Sequence, residues 1–384
     1  MGGSSLSLDF SALRRWPDVE AENLHAVDAA DRLLLDLAAQ AGWPAEPGRV
    51  VVLGDHYGAL TLGALAAGVH GLRVHQDALS GARATAANAQ SLIPDLAHEY
   101  VRLPLGAELL NNATLVLLVL PRSLDALEEM LAVIAQHADP TVRVMAAGRI
   151  KHMNFSMNEV FSRYFATVSA SLARQKSRVL TASGLLPGGQ FPANRFPLVQ
   201  SFPVGLKKPL ELRAFAQTFG GAKLDPGTRF LLEQLEIPVT VDRAVDLGCG
   251  NGTIAAFMAL KYPNLHVHAS DQSASAVAST AATAVANGVS ERVTAVQDDA
   301  LASLADGSEE LVVLNPPFHM GNTVHAGIAL KLIADAGRVL APGGELWCVW
   351  NSHLGYRGQL EKLVGPTRQI ARNPKFTITV SVKA

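Results

Sequence analysis

The chain repeats itself. Arg49-Val-Val-Val-Leu-Gly54-Asp-His-Tyr-Gly58-Ala-Leu60 aligns with Arg243-Ala-Val-Asp-Leu-Gly248-Cys-Gly-Asn-Gly252-Thr-Ile254 at an offset of 194 residues. The same offset pairs His75-Gln-Asp77 with Ala269-Ser-Asp271, and each Asp leads into an alanine-rich helical stretch, residues 78–90 or 273–287. At an offset of 195, Val119-Leu120-Pro121 meets Leu314-Asn315-Pro316. Four landmarks held within one residue over 70 positions mark a tandem duplication. Whatever architecture is read for one half must therefore suit the other.

Each half alternates short β-branched runs with helical patterns. In the second half, strands are expected at 243–247, 265–270, 292–296, 310–314 and 345–350, and helices at 253–261, 273–287 and 324–340. That alternation predicts an α/β fold, a mostly parallel sheet with helices on both faces, made twice. Residues 377–382 should complete the second sheet as an antiparallel strand, and Ala341-Pro-Gly-Gly344 should form a turn ending the last long helix. A chain of 384 residues, 49% of them apolar, is long enough for two cored domains and is not disordered. Its longest aliphatic run, 115–120, is far short of the ~18–20 residues that span a bilayer. Residues 1–8 are small and polar, unlike a signal segment. Two cysteines, Cys249 and Cys348, make neither a disulfide framework nor a zinc spacing, so a cytoplasmic protein is expected.

Between the halves the charge changes sign. From 149 to 213 there are ten Lys/Arg against two acids, Glu159 and Glu211, leaving the rest of the chain at −10. Phe161, Tyr164, Phe165, Phe191, Phe196 and Phe202 are interleaved with these cations. Such a mixture suits a nucleic-acid surface, with cations on phosphate and rings on bases, although ordinary core aromatics give the same pattern. The domains expected are 1–150, a basic linking segment 151–213, and 214–384.

Asp246-Leu-Gly248-Cys-Gly250-Asn-Gly252 follows a strand and opens a helix. Glycines there let the backbone approach a ligand, and the helix start presents free N–H groups. A dinucleotide fingerprint would need Gly or Ala at 253, which is Thr. The acid ending the strand suits a cationic ligand better than a pyrophosphate. Asp271, 19 residues past Gly252, ends the next strand and can accept both hydroxyls of a ribose. Its alternative role is a helix N-cap, which Ser273 can fill instead. Asp298 and Asp299 end the third strand within reach of an adenine amino group, Asp299 being favoured. Cys249 reads as a small packing residue rather than a nucleophile, and Trp347 and Trp350 as core.

This set resembles the class I S-adenosylmethionine-dependent methyltransferases over residues 225–384. The resemblance implies S-adenosylmethionine as cofactor, with no metal. It implies cofactor contacts from Asp246, Gly248, Cys249, Gly250, Asn251, Gly252, Asp271, Gln272, Asp298, Asp299 and Asn315.

Asn315-Pro316-Pro317-Phe318-His319 supplies the chemistry. Two prolines fix two φ angles and keep Asn315 out of the helical region, so the chain leaves the sheet rigid and extended. An amine conjugated to a ring is a poor nucleophile, and in-line methyl transfer is chiefly a matter of positioning. The Asn315 side-chain oxygen and the Pro316 carbonyl can accept both N–H bonds of such an amine, aiming its lone pair at the methyl carbon. Phe318 can stack on a base already out of its helix. His319 either lines that pocket or caps a helix. Asn315, Pro316, Pro317 and Phe318 are the catalytic candidates.

The order of parts, together with Phe219-Gly-Gly-Ala-Lys-Leu224-Asp-Pro-Gly227-Thr-Arg-Phe-Leu-Leu232, Asn315-Pro-Pro-Phe-His319, Asn351-Ser-His-Leu354 and Asn373-Pro-Lys-Phe376, resembles the bacterial ribosomal RNA guanine-N2 methyltransferases, which implies that the 219–232 segment packs over the cofactor. Ala29-Ala-Asp-Arg-Leu-Leu34 and Asp55-His-Tyr-Gly58 bring the chain closer to the large-subunit, 23S enzymes. The resemblance implies ribosomal RNA or a ribosomal particle as partner. The alternatives are a 16S enzyme, a protein glutamine or DNA amino methyltransferase, and a non-catalytic RNA-binding factor. Glutamine enzymes usually carry Tyr in place of Phe318, and an intact Asn315-Pro-Pro-Phe318 argues against a non-catalytic role. In the first half His56 stands for Gly250, and Leu120 and Arg122 for Asn315 and Pro317, so that half is expected to be silent and to grip RNA with the basic segment. An internal duplication can replace dimerisation, so a monomer is expected.

Overall fold

The computed structural model describes residues 8–317 and 323–384, and the chain divides into two units between Arg195 and Phe196. The first unit contains α1 (Ala29–Ala41), β1 (Val50–Leu53), α2 (Ala59–Ala66), β2 (Leu72–His75), α3 (Leu79–Leu92), β3 (Tyr100–Arg102) and α4 (Ala107–Leu110). It continues with β4 (Leu115–Val119), α5 (Leu124–His137), β5 (Arg143–Arg149), α6 (Phe155–Ser162), β6 (Phe165–Ala170) and β7 (Ser177–Leu185).

The second unit opens with a separate hairpin, β8 (Leu198–Phe202) and β9 (Leu210–Ala214), then α7 (Pro226–Gln234), β10 (Arg243–Leu247), α8 (Thr253–Lys261) and β11 (His266–Asp271). It ends with α9 (Ala274–Ala286), β12 (Val293–Gln297), β13 (Glu309–Leu314), α10 (Thr323–Val339), β14 (Leu340–Asn351), α11 (Arg357–Leu363), β15 (Thr367–Arg372) and β16 (Phe376–Val382).

The two sheets have one topology. The first runs β3-β2-β1-β4-β5-β7-β6 and the second β12-β11-β10-β13-β14-β16-β15. In each, five strands are parallel and the sixth in spatial order is antiparallel to its neighbours. The α/β fold expected from the repeat is thus present twice. Alternate residues of a central strand feed opposite cores, as the period of two requires. Ala244 and Val313 pack toward α7 and α8, whereas Val245, Leu247, Val312 and Leu314 pack toward α10 and α11. In the first sheet Val50 and Val52 face α1 and α2, and Val51 and Leu53 face α5 and α6. Central strands covered on both sides read as unbroken apolar runs.

Three expectations need correction. Residues 151–195 are not a linker, because they form α6, β6 and β7 of the first unit, while 196–213 open the second. Nor are the aromatic rings of that segment free to stack. Phe161, Tyr164 and Phe165 are fully buried against α5 and β4, Phe196 is buried, and Phe191 and Phe202 pack on the cores. Ala341-Pro-Gly-Gly344 ends α10 yet stays in the sheet as a bulge, with Glu309 opposite Leu340 and Leu311 opposite Glu345. A Cβ on Gly344 would lie 2.9 Å from the Ala341 carbonyl and 3.1 Å from those of Glu309 and Glu310, so glycine is what lets this bulge close.

Candidate active site at the carboxyl edge of the second sheet

Strand register sets the site. Leu247 lies opposite both Ser270 and Leu314, and Asp271 opposite Gln297, so the strand ends are flush. Strand order reverses at β10, whose carboxyl end therefore opens between the ends of β11 and β13. Crevices of α/β sheets form at such a reversal.

Asp246 is fully buried near the end of β10. Its Oδ2 accepts the Ala255 N–H of α8 at 2.9 Å, while Oδ1 has no partner among the described residues. Burial, with a smaller push from Asp271, raises its pKa to about 7. A buried carboxylate oxygen with no donor among the described residues calls for one.

The glycines of the next loop divide into two kinds. Gly248 and Gly250 have φ of +74° and +54°, and a Cβ on either would meet nothing within 4 Å, so they border open space. Gly252, at φ +77°, serves packing, since a Cβ there would lie 2.8 Å from Thr280 Cα on α9. Cys249 is buried, its Sγ accepting from the Thr280 hydroxyl at 3.2 Å, and burial pushes its thiol well up. It is a packing residue, as read. Asn251 turns its Nδ2 to the carbonyls of Gly221 and Lys223, at 2.9 and 3.0 Å, and ties that loop to the glycine turn.

Asp271 bridges two segments. Its Oδ2 accepts the Gly250 N–H and its Oδ1 the Ser273 N–H, each at 3.0 Å. Ser273, not Asp271, caps α9, its side chain accepting from Ala276 N. Gln272 is exposed, with its carbonyl accepting from Gln297 Nε2 at 2.8 Å. Both oxygens of the buried Asp298 are used internally, by the N–H groups of Asp299 and Ser303. Asp299 is ion-paired with Lys331 of α10. The carboxylate favoured for an adenine contact thus already holds a cation.

Asn315 follows β13 directly. Its side-chain Nδ2 donates to Asp225 Oδ2 at 3.0 Å and to Thr228 Oγ1 at 2.8 Å. Pro316 is buried and Pro317 half-buried. Phe318 and His319 lie outside the described residues. The sequence reading placed Asp225 and Thr228 in the segment that resembles the family's cofactor-packing stretch, but linked neither of them to Asn315. The one available signal was Asp225-Pro226, an N-cap followed by Pro at the first helical position.

The equivalent edge of the first sheet keeps Asp77 for Asp271 but lacks the first acid, the middle glycine and the asparagine. Val52 stands for Asp246 and Leu120 for Asn315 at the repeat offsets. The turn is closed over by Gln76, whose Nε2 donates to the Asp55 and His56 carbonyls at 2.6 and 3.3 Å.

Two α/β sheets of one topology, one with a complete acid–glycine–acid–asparagine edge and one without, define a class I methyltransferase fold duplicated with a degenerate first copy. The family description "Methyltransferase small domain" matches residues 209–380, and "RLMG N-terminal domain" matches residues 4–184. The chain belongs to the ribosomal RNA large subunit methyltransferase G family. It is 36% identical over 379 residues to the member from Streptomyces coelicolor, covering 97% of both chains. To the member from Pseudomonas paraeruginosa it is 37% identical over 368 residues, covering 95% of this chain and 96% of that one. Among solved structures it is similar in fold to the 16S rRNA N2 G1207 methyltransferase of T. thermophilus, determined with AdoMet and guanosine. There the TM-score is 0.69 at 20% identity, covering 93% and 92% of the two chains.

Proposed function

We propose that the second unit transfers a methyl group from S-adenosylmethionine to the exocyclic N2 amine of a guanine in 23S ribosomal RNA. The observation that carries this reading is the flush edge of β11, β10 and β13, which sets Asp271 on one side of the glycine turn and Asn315 on the other.

The residues present fit the cofactor. Asp246 Oδ1 is a buried acceptor lacking a donor, and the open space beside Gly248 and Gly250 leaves room for a ligand against the backbone. Asp246 and the turn would hold the charged amino-acid end, Asp271 the ribose hydroxyls, and the 298–299 segment the adenine. When bound, the sulfonium supplies an electrophilic methyl group. The chain's part is to accept hydrogen bonds from the guanine amine through Asn315 Oδ1 and the Pro316 carbonyl. That orients the nitrogen lone pair and absorbs the positive charge that develops on it. The large-subunit substrate is supported by the relatives, which are large subunit methyltransferases, and the N2 position by the likeness in fold to a 16S rRNA N2 G1207 methyltransferase.

The test offers methyl-labelled S-adenosylmethionine together with 23S RNA, 16S RNA, a release factor or DNA. Label is expected in a 23S guanine, and label only in another substrate overturns the reading. Asn315→Ala should lower transfer by at least about 100-fold while leaving cofactor affinity within about twofold.

A further inference from the structure

The two ends of an asparagine amide have nearly the same shape and opposite chemistry. Turned one way, Asn315 offers an acceptor to an incoming amine; turned the other, it sets donor against donor. Something must therefore choose the end. We infer that Asp225 and Thr228 are positioning residues that fix the Asn315 amide with its oxygen toward the acceptor amine, an inference that rests on the reaction proposed above.

The geometry supplies the choice. An ionised carboxylate only accepts, so the amide end lying 3.0 Å from Asp225 Oδ2 must be the nitrogen. Thr228 Oγ1 takes the second N–H at 2.8 Å, so both donors of the amide are spent on the first turn of α7. That turn is itself held. Asp225 caps α7, its Oδ2 accepting the Thr228 N–H at 2.8 Å, and Pro226 presets the first helical φ. Thr228 is buried, and Gly227 between them has no room for a side chain. A Cβ there would sit 3.0 Å from Asp225 Oδ2 and 3.1 Å from the Phe376 ring.

The first unit offers an internal control. Leu120 stands for Asn315, and the two helix starts match as Asp28-Ala-Ala-Asp31-Arg32 against Asp225-Pro-Gly-Thr228-Arg229, so Asp31 stands for Thr228. Asp31 is turned into the capping box of α1, accepting the Asp28 N–H at 2.7 Å, while the capping Asp28 is kept and pairs with Arg149 at 3.2 Å. Where the amide is gone, the threonine acceptor is gone too, and the cap's carboxylate holds a cation instead.

Asp225→Asn keeps an equally good helix cap but replaces an obligate acceptor with an amide that lets Asn315 turn over. Thr228→Val removes the second acceptor at constant shape. In each variant kcat for RNA methylation should fall about 10- to 100-fold, KM for S-adenosylmethionine should stay within about twofold, and Thr228→Ser should recover most of what Thr228→Val loses. Tm should change little. In 15N-labelled protein the Asn315 side-chain NH2 signals, identified by their loss in Asn315→Asp, should be protected from solvent exchange in the wild type and unprotected in both variants. Wild-type kcat in the variants, or a loss that comes with a raised cofactor KM, a lowered Tm and no rescue by serine, overturns the inference. Unprotected NH2 protons in the wild type overturn it independently of turnover. Protected protons in a protein that methylates no guanine would instead sink the proposed function and leave the anchoring intact.

Discussion

Asp246 shows what burying an acid at the end of a strand does to stability. Its folded pKa, about 7, lies above the ordinary carboxylate value near 3.8 because burial penalises the charge. Between those values the folded chain holds a proton that the unfolded chain has released, so stability falls as pH rises through the window and the full cost is present above about pH 7. Asp246→Asn removes this dependence. From pH 5 to pH 8 the variant should gain roughly 2–3 kcal/mol relative to wild type. Thermal unfolding of both proteins at the two pH values reads it, and parallel curves would show that this carboxyl does not set the slope. The role proposed for Asp246 at the charged end of the cofactor also predicts that the variant binds S-adenosylmethionine more weakly. Asp246 and Asp271 were legible because an acid at the end of an apolar strand has no packing reason to be there. Thr228 was not, because a threonine in the first turn of a helix is ordinary until the partner 87 residues away is known.

At the level of elements, the glycine turns of the two units look alike in sequence and differ in what they tolerate. Gly58 and Gly252 both enter a helix with positive φ, +95° and +77°. A Cβ on Gly252 would lie 2.8 Å from the backbone of Thr280, which cannot yield without moving α9. On Gly58 the nearest atom, also at 2.8 Å, is the far end of the Leu62 side chain. Alanine at either site carries the left-handed cost of about 1–2 kcal/mol, and at 252 the backbone clash adds about 1–3 kcal/mol more. Hydrogen exchange in urea, read in peptides spanning β10–α8 and β1–α2, should therefore show Gly252→Ala loosening its unit more than Gly58→Ala loosens the other. The reverse order would place the helix–helix contact elsewhere. Most strands and helices of the second sheet were legible within about two residues, since their apolar runs and caps are local. β15 was not, because Thr-Arg-Gln-Ile-Ala-Arg on a sheet edge buries too little to show a period of two. The basic segment misled for a related reason. Its rings and cations alternate because β6, β7 and α6 have buried and exposed faces, not because they form a separate binding arm.

Across the whole chain, the duplication freed one copy from catalysis while keeping its topology. What the first copy and the 149–213 stretch offer a polyanion is the charge that folding leaves over. Several of those cations are spent internally: Arg163 and Arg195 pair with acids of α5, Arg174 with Asp36, and Arg149 with Asp28. Lys151, Lys176, Lys207 and Lys208 are exposed, and among the described residues no acid pairs with them. We propose that RNA phosphate is met by Lys151 and Lys176 on the first unit and by Lys207 and Lys208 on the second. Each phosphate contact releases condensed counterions, so log K should fall with log salt at a slope of about −0.7 to −0.9 per contact. Changing all four to glutamine should make that slope shallower by about 3 and weaken RNA binding by at least about tenfold at 0.15 M salt. S-adenosylmethionine affinity and thermal stability should stay put, because none of the four contributes to a core or to the carboxyl edge of the second sheet. Filter binding of a 23S fragment across a salt series measures both quantities. A slope unchanged by the four substitutions would mean that the excess charge of this segment is a solvated face, and that RNA is held elsewhere on the chain.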